Sequence, residues 1–363
     1  MVHLRKPTFY LLFVLLILCA CDENKCGSKA PDWIASDISA SSVLTELCQE
    51  LALRMDSGIM LGHEESLAYG SMWYNQPGRS DVKSVCGNYP AVVDWSLDGI
   101  ESGASLSADS VPFVRIKQYV KQFYGHGGVT VFSWNPSWQS SLSGKTDSIL
   151  SEQEFVQRYG KGLDRVAAFL MDLRSDSGSY IPVIVQLFDW TDLENICSPE
   201  AYITLWRRSV DYLRNDKNVH HVLYAYSRNA VKTEEELTRY YPGNAYVDVV
   251  GLSLYQDFET DASGALYVQR LEQGLSAVCH FAQKNKKFPA LTGTGLKGVK
   301  ISNFFSGILD PVISRHKISY IVFGANMWNE EESYYIPIPG HPASEDFLNF
   351  VHSEHIIMCD NKL

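Results

Sequence analysis

The chain of 363 residues lacks the sequence features of several large functional classes. It has no long basic cluster and its formal net charge is −11. A nucleic-acid partner is therefore not expected, because phosphate binding requires a positive face. No HExxH motif, EF-hand loop or CxxC pair is present, so we expect no metal site and no cofactor. A GxSxG nucleophile elbow is also missing, which argues against a Ser–His–Asp hydrolase.

The apolar run near the N-terminus, residues 9–18, is too short to span a membrane comfortably. It follows the positively charged stretch 4–6, an order typical of a signal peptide. The run leads into Leu18-Cys19-Ala20-Cys21, which resembles a bacterial lipobox with Cys21 as the lipid-modified residue. We predict a signal peptide over 1–20 and a polar tether over 21–40. An ordinary secretory signal with incidental cysteines is the alternative.

The predicted lipid on Cys21 has a consequence for location. Several acyl chains on one cysteine anchor a protein far better than a single chain does. We therefore expect an exported lipoprotein, held at the outer membrane or cell surface of a Gram-negative bacterium.

Eight short apolar runs recur after the tether, with amphipathic segments between them. The runs are nearly continuous rather than alternating, as is typical of parallel strands buried on both faces. We predict an α/β fold, a (β/α)₈ TIM barrel that forms a single domain over 41–363. An open doubly wound sheet is the alternative, and the absence of a glycine-rich phosphate loop argues against it. The predicted strands are 57–62, 91–96, 129–135, 182–188, 221–227, 247–254, 288–292 and 319–325, and the predicted helices include 41–54, 112–124, 153–173, 200–214 and 266–285.

The predicted strand ends are rich in Trp, Tyr, Asn and Asp. In a (β/α)₈ barrel, function resides at the C-terminal ends of the strands. Aromatic rings stack on sugar faces, and amides and carboxylates bond sugar hydroxyls, so the mixture favours a carbohydrate ligand. The predicted substrate-binding residues are His63, Asp94, Trp134, Asn135, Trp190, Tyr255, Asn326 and Trp328.

Many short stretches over about residues 45–350 match, in order, the pattern of a known family. They include Gly62-His63-Glu64, Pro77-Gly78-Arg79-Ser80-Asp81, Ser133-Trp134, Leu223-Tyr224-Ala225-Tyr226-Ser227 and Pro289-Ala290-Leu291-Thr292. The chain thereby resembles glycoside hydrolase family 26, chiefly the β-mannanases. The resemblance implies a (β/α)₈ fold and a retaining mechanism on β-mannan. That mechanism uses a Glu acid/base after the fourth strand and a Glu nucleophile after the seventh.

The sequence departs from the family at both catalytic positions. The family pattern Leu-Thr-Glu-Thr-Gly-Leu becomes Leu291-Thr292-Gly293-Thr294-Gly295-Leu296, which places Gly293 at the nucleophile. After the fourth strand, Trp190 falls on the acid/base without a gap, and Asp189 does so with a gap of one residue. The resemblance also implies that Asn135 replaces a His, Gln186 an Arg, and Gly324-Ala325 a Trp-Arg pair.

A retaining glycosidase needs two carboxyl groups about 5–5.5 Å apart. Because both positions are altered, we expect a mannanase-like barrel that binds β-mannan or another polysaccharide without hydrolysing it. One alternative is an endo-β-mannosidase or other glycosidase with relocated carboxylates, with Asp189 or Asp192 as the acid and water as the nucleophile. A decayed relative with only a structural or assembly role is a third possibility.

Overall fold

The computed structural model describes residues 33–138, 151–188 and 193–359. Eight parallel strands lie side by side in chain order, and the last pairs with the first, Met60 opposite Tyr320, so the sheet closes into a barrel. This confirms the predicted (β/α)₈ TIM barrel and all eight predicted strands. The barrel strands are β1 (Ile59–Glu64), β5 (Val92–Ser96), β6 (Val129–Trp134), β7 (Val183–Leu187), β8 (Val222–Asn229), β9 (Val249–Gln256), β10 (Phe288–Leu296) and β11 (Tyr320–Phe323), while the short strands are β2 (Tyr69–Gly70), β3 (Trp73–Tyr74), β4 (Tyr89–Pro90) and β12 (Ile356–Cys359).

Helices cover the outside of the barrel, and the five predicted helical segments are confirmed. The Ser198 hydroxyl caps one of them by accepting a hydrogen bond from Ala201 N, with Pro199 in the first turn. The predicted helix 153–173 differs in one respect, because a π-helical stretch at Val156–Gly160 interrupts it. The α-helices are α1 (Ser42–Ser57), α2 (Asp81–Cys86), α3 (Phe113–Gly125), α4 (Glu152–Phe155), α5 (Lys161–Met171), α6 (Leu193–Ile196), α7 (Pro199–Asp211), α8 (Glu234–Thr238), α9 (Ala265–Asn285), α10 (Asp310–Ile313) and α11 (Ser344–Val351).

The hydrophobic core of the described chain consists of two clusters of buried residues. The larger one lies between the strands and the surrounding helices. The smaller one fills the lower barrel, where α1 residues such as Leu44 and Leu51 pack against inward side chains such as Met60 and Val131. Helix α1 therefore closes the N-terminal floor of the barrel and leaves the C-terminal end, its mouth, for polar residues.

Residues 33–40, which the sequence assigns to the tether, lie against the same floor. The Trp33 ring stacks on Phe288, the first residue of β10, at a centroid distance of 4.8 Å. Asp37 accepts a hydrogen bond from His220 at 2.8 Å. The described chain thus enters the barrel at the end opposite the mouth. Within the described ranges, no helix is long and apolar enough to cross a membrane.

Candidate functional site

A polar cavity of about 250 Å³ opens at the mouth, among the C-terminal ends of the strands. Ligand sites commonly measure about 300–1,000 Å³, so this one suits a small group such as a single sugar ring. The described residues that line it are Glu64, Glu65, Asp94, Ser96, Asp98, Asp109, Ser133, Asn135, Gln186, Ser253, Tyr255, Thr292 and Gly293.

The alternation of side chains along each strand decides which residues reach this cavity. Successive residues of a strand point to opposite faces. On β1, Met60 packs inside the barrel and Leu61 packs outside, so Glu64 faces inward and His63 outward. On β6, Val131 faces inward, which sends Trp134 to the outer face.

Three of the predicted substrate-binding residues line the cavity: Asp94, Asn135 and Tyr255. Tyr255 is 38% exposed and so is open to a ligand. Gly293, in the C-terminal half of the seventh barrel strand β10, lines the same cavity.

The remaining described candidates do not line it. His63 and Trp134 are both 0% exposed, because their strands turn them toward the surrounding helices. Burial lowers the pKa of His63 to about 4, so it is neutral at physiological pH. Trp328 packs against the Tyr74 ring with a centroid distance of 5.2 Å. The predicted Asp189, Trp190 and Cys21 lie outside the described residues.

Asn326 has a supporting position behind the site. It is 1% exposed, and its amide donates to Asp81 Oδ2 at 2.8 Å and to the carbonyl of Ile336. Its Oδ1 accepts from the backbone N–H groups of Tyr335 and Ile336, at 2.9 and 3.0 Å. Asn326 therefore fixes the segment that carries Tyr335.

The Tyr335 ring fills space beside the mouth that two glycines provide. A Cβ on Gly295 or on Gly324 would lie 2.8 Å from a carbon of this ring, much closer than side chains pack. The ring also meets Tyr255 edge-on, with centroids 5.3 Å apart. The Tyr335 ring thus occupies the volume next to Gly324.

Gly293 lies at an irregular point of β10. Its register with β9 shifts between Leu291 and Gly293, which is characteristic of a β-bulge, and Gly293 pairs with Ser253. A Cβ at this position would meet Ser253 Oγ at 2.7 Å and Tyr255 Oη at 3.2 Å. A side chain on residue 293 would therefore enter the cavity, and the glycine leaves that wall without a reactive group.

Five carboxyl groups stand around the cavity, and hydrogen bonds hold several of them. Glu64 Oε1 accepts from Tyr255 Oη at 3.4 Å and its Oε2 from Ala325 N at 3.1 Å. Glu65 Oε1 accepts from Ser96 N at 2.9 Å. Asp94 Oδ2 accepts from the Ser133 hydroxyl at 2.6 Å. The other two are Asp98 and Asp109.

Burial raises the pKa of four of these groups, Glu64, Glu65, Asp98 and Asp109, and nearby negative charges add to the effect for the first three. Burial, with the nearby charges of Asp94 and Asp109, raises the pKa of Glu64 to about 8. Burial also raises the pKa of Glu65 well above its usual value and that of Asp98 to about 6. At neutral pH the mouth therefore contains both carboxylic acids that can donate a proton and carboxylates that accept hydrogen bonds.

Sequence reasoning missed Glu64, Glu65, Asp98 and Asp109 as site residues. The two-residue period of β1 does not identify Glu64 from the sequence, because Met60 and Leu61 are both apolar and either could face inward. Asp98 and Asp109 lie beyond the end of β5 in the following loop, where no periodicity operates. In the described part of the chain, no three His, Cys, Asp or Glu side chains are grouped so as to hold a metal ion.

The model of the family described as "Glycosyl hydrolase family 26" matches residues 39–306. The chain belongs to this family. Among solved structures it is similar to the family 26 β-mannanase from Bacteroides ovatus, with 33% identity and a TM-score of 0.79. The match covers 88% of this chain and 95% of that one. The catalytic domain of an endo-β-1,4-mannanase from Bacillus sp. JAMB-750 shares the fold, with 22% identity over 92% of this chain and 95% of that one, and a TM-score of 0.77.

Curated relatives of this family 26 chain include a mannan endo-1,4-beta-mannosidase from Bifidobacterium adolescentis, which is 24% identical over 93% of this chain. Another, from Caldalkalibacillus mannanilyticus, is 22% identical over 69% of this chain. The matches span 36% and 52% of the two relatives' own lengths. The chain thus corresponds to one part of each relative.

Proposed function

We propose that this family 26 barrel binds β-mannan or a related polysaccharide at its mouth without hydrolysing it. The observation that carries the proposal is Gly293, whose missing side chain would enter the cavity between Ser253 and Tyr255. A retaining mechanism needs a carboxylate that attacks the anomeric carbon. No attacking group can come from a glycine, and loss of one member of a catalytic set removes most of the rate.

The lining of the cavity supports sugar binding. Ser133, Asn135, Gln186 and Ser253 offer hydroxyl and amide groups for sugar hydroxyls, and the partly exposed side chain of Tyr255 offers an aromatic surface. The similarity to the β-mannanase from Bacteroides ovatus supports a β-mannan-like glycan as the ligand class.

A second candidate, a glycosidase with relocated carboxylates, is favoured by Glu64. Its pKa of about 8 keeps it protonated at neutral pH, which is the state that a general acid needs. An inverting enzyme needs a second carboxylate about 6.5–9.5 Å away to activate water. Asp98, which lines the same cavity, is the described candidate for that base.

One pair of assays distinguishes the two functions. The purified protein is incubated with mannan, galactomannan and xylan while reducing ends are measured, and it is titrated with manno-oligosaccharides by calorimetry. We expect binding without release of sugar. Sugar release that is lost in Glu64→Gln or Asp189→Ala would establish the hydrolase instead. Glu272→Gln, on the outer helix α9 and paired with Arg315, is the matched control.

We further propose that the protein is an exported lipoprotein held at the outer membrane through Cys21. The apolar run 9–18 and the lipobox-like Leu18-Cys19-Ala20-Cys21 support this. Metabolic labelling with a fatty acid should mark the full-length chain, and Cys21→Ser should remove the label. A label that persists in Cys21→Ser but disappears in Cys19→Ser would show that Cys19 is the modified residue. The absence of any label on the parent protein would contradict the lipid anchor.

A further inference from the structure

The charge of the mouth differs from that of the barrel floor, where the described chain also buries carboxyl groups. Of the thirteen described residues that line the cavity, five are Asp or Glu and none is Lys, Arg or His. At the barrel floor, by contrast, the buried Asp37 and Asp248 lie 3.8 and 3.9 Å from the guanidinium of the buried Arg214. The fold therefore neutralises buried carboxylates at its floor and leaves those at its mouth without a described cation.

Glu65 gives an independent sign that a ligand group belongs there. Its side chain lines the cavity and the residue is only 2% exposed. Oε1 accepts a hydrogen bond from Ser96 N, while Oε2 is buried and has no hydrogen-bond partner in the structure. A buried acceptor without a partner is costly, and native proteins nearly always satisfy one. A cationic donor supplied by a ligand would satisfy this oxygen, and its charge would favour the ionised form of Glu65 over the protonated form that burial favours.

The chemistry of that donor follows from the geometry of the carboxyl groups. They surround the cavity, and the described ones do not converge in a group of three that could hold a metal ion. A primary ammonium group has three N–H donors and a full charge, so it can hydrogen-bond to Glu65 Oε2 while the other carboxyl groups attract its charge over a longer distance. The neutral Ser133, Asn135 and Gln186 would remain available for hydroxyl groups of the same ligand.

We propose that the ligand is an amine-bearing glycan: a β-1,4-linked oligosaccharide with free primary amino groups, one of which enters the acidic mouth beside Glu65. The proposal rests on the proposed glycan-binding function and narrows its ligand class. Bound in this way, the ammonium group supplies a positive charge beside the described carboxyl groups, and the sugar ring packs against Tyr255.

Calorimetry with three sets of oligosaccharides of matched length tests the proposal. They are β-1,4-linked glucosamine oligomers, their N-acetylated forms, which have no charge, and manno-oligosaccharides. We expect the glucosamine oligomers to bind at least about tenfold more tightly than the other two sets, and only their affinity to fall as salt is added. Glu65→Gln should remove most of this preference, while Glu272→Gln, in its outer ion pair with Arg315, should keep it.

The outcomes separate this inference from the function on which it rests. Manno-oligosaccharides that bind as tightly as the amines would overturn the amine proposal and leave glycan binding intact. An absence of binding by all three sets would overturn both. The comparison among ligands uses the unaltered protein, so it stands even if Glu65→Gln fails to fold.

Discussion

Tyr255 Oη donates to Glu64 Oε1 at 3.4 Å, and the same hydroxyl oxygen would lie 3.2 Å from a Cβ at position 293. The Tyr255 hydroxyl therefore lies between the Glu64 carboxyl group and the position that a side chain on residue 293 would occupy. Residue 293 is a glycine, and the Tyr255 hydroxyl bonds to Glu64 in the described structure. The hydrogen bond lowers the pKa of Glu64 against the larger effect of burial.

Removing that hydroxyl should shift the titration of Glu64. In Tyr255→Phe, the ionised form of Glu64 loses a donor, so its pKa should rise above the present value of about 8. Carbon NMR of labelled glutamate carboxyl groups over a pH series would measure the shift. A pKa that stays the same or falls would contradict the hydrogen bond. The substitution Tyr74→Phe, whose hydroxyl donates to Ser110 O outside the cavity, is the control.

Glu64 should also make the stability of the fold depend on pH. Its folded pKa of about 8 lies above its ordinary value of 4.5. Between those two values the folded state holds a proton that the unfolded state has released, so the free energy of unfolding falls as pH rises through this window. Glu64→Gln removes this fall in the free energy of unfolding, because glutamine does not titrate. The variant should therefore gain Tm relative to the parent as pH rises from 5 to 8, because the window spans the pKa values given above.

The control for this experiment is Glu50→Gln, which removes the ion pair with Arg54 on α1 and should change Tm by the same small amount at every pH. Thermal unfolding followed by circular dichroism at several pH values gives both curves. If the difference in Tm between the Glu64 variant and the parent were constant with pH, the raised pKa of Glu64 would be wrong.

Restoring a carboxylate at position 293 should not create a hydrolase. In Gly293→Glu, the new Cβ would crowd Ser253 Oγ at 2.7 Å, and overpacking of this kind costs about 1–3 kcal/mol. The double variant with Ser253→Gly should recover part of this loss in urea unfolding. Neither variant should release reducing sugar from mannan, and release by either one would show that the rest of the catalytic site is intact.

The packing of Tyr335 predicts a strong coupling between two positions. Gly324→Ala places a methyl group 2.8 Å from the Tyr335 ring and should cost about 1–3 kcal/mol. In a Tyr335→Ala background the same substitution should cost almost nothing, because the ring that it would meet is absent. A double-mutant cycle in urea measures this coupling, and equal costs in both backgrounds would contradict the contact.

Asn326 should be important for stability rather than for direct ligand contact. Asn326→Ala removes four hydrogen bonds and leaves the buried Asp81 and two backbone N–H groups short of a partner. Each such loss costs about 1–3 kcal/mol when the group stays buried. The midpoint of urea unfolding should fall sharply. A midpoint within error of the parent would refute this role.

The architecture could be predicted from the sequence because parallel strands buried on both faces appear in it as short apolar runs, which alternate here with amphipathic segments. The site was harder to predict, because the residue that reaches the cavity depends on which face of the strand it occupies. Glu64 rather than His63, and Asn135 rather than Trp134, face the cavity. The runs are apolar on both faces, so composition does not reveal the phase. The Tyr335 contact depends on Gly295 and Gly324, which are distant in sequence, and no periodic pattern signals it.

The stacking of Trp33 on Phe288 places the first described residue under the barrel, on the side away from Glu64 and Tyr255. A support attached at Trp33 would therefore lie on the side opposite the open end, so a long polysaccharide could lie across the mouth without meeting it.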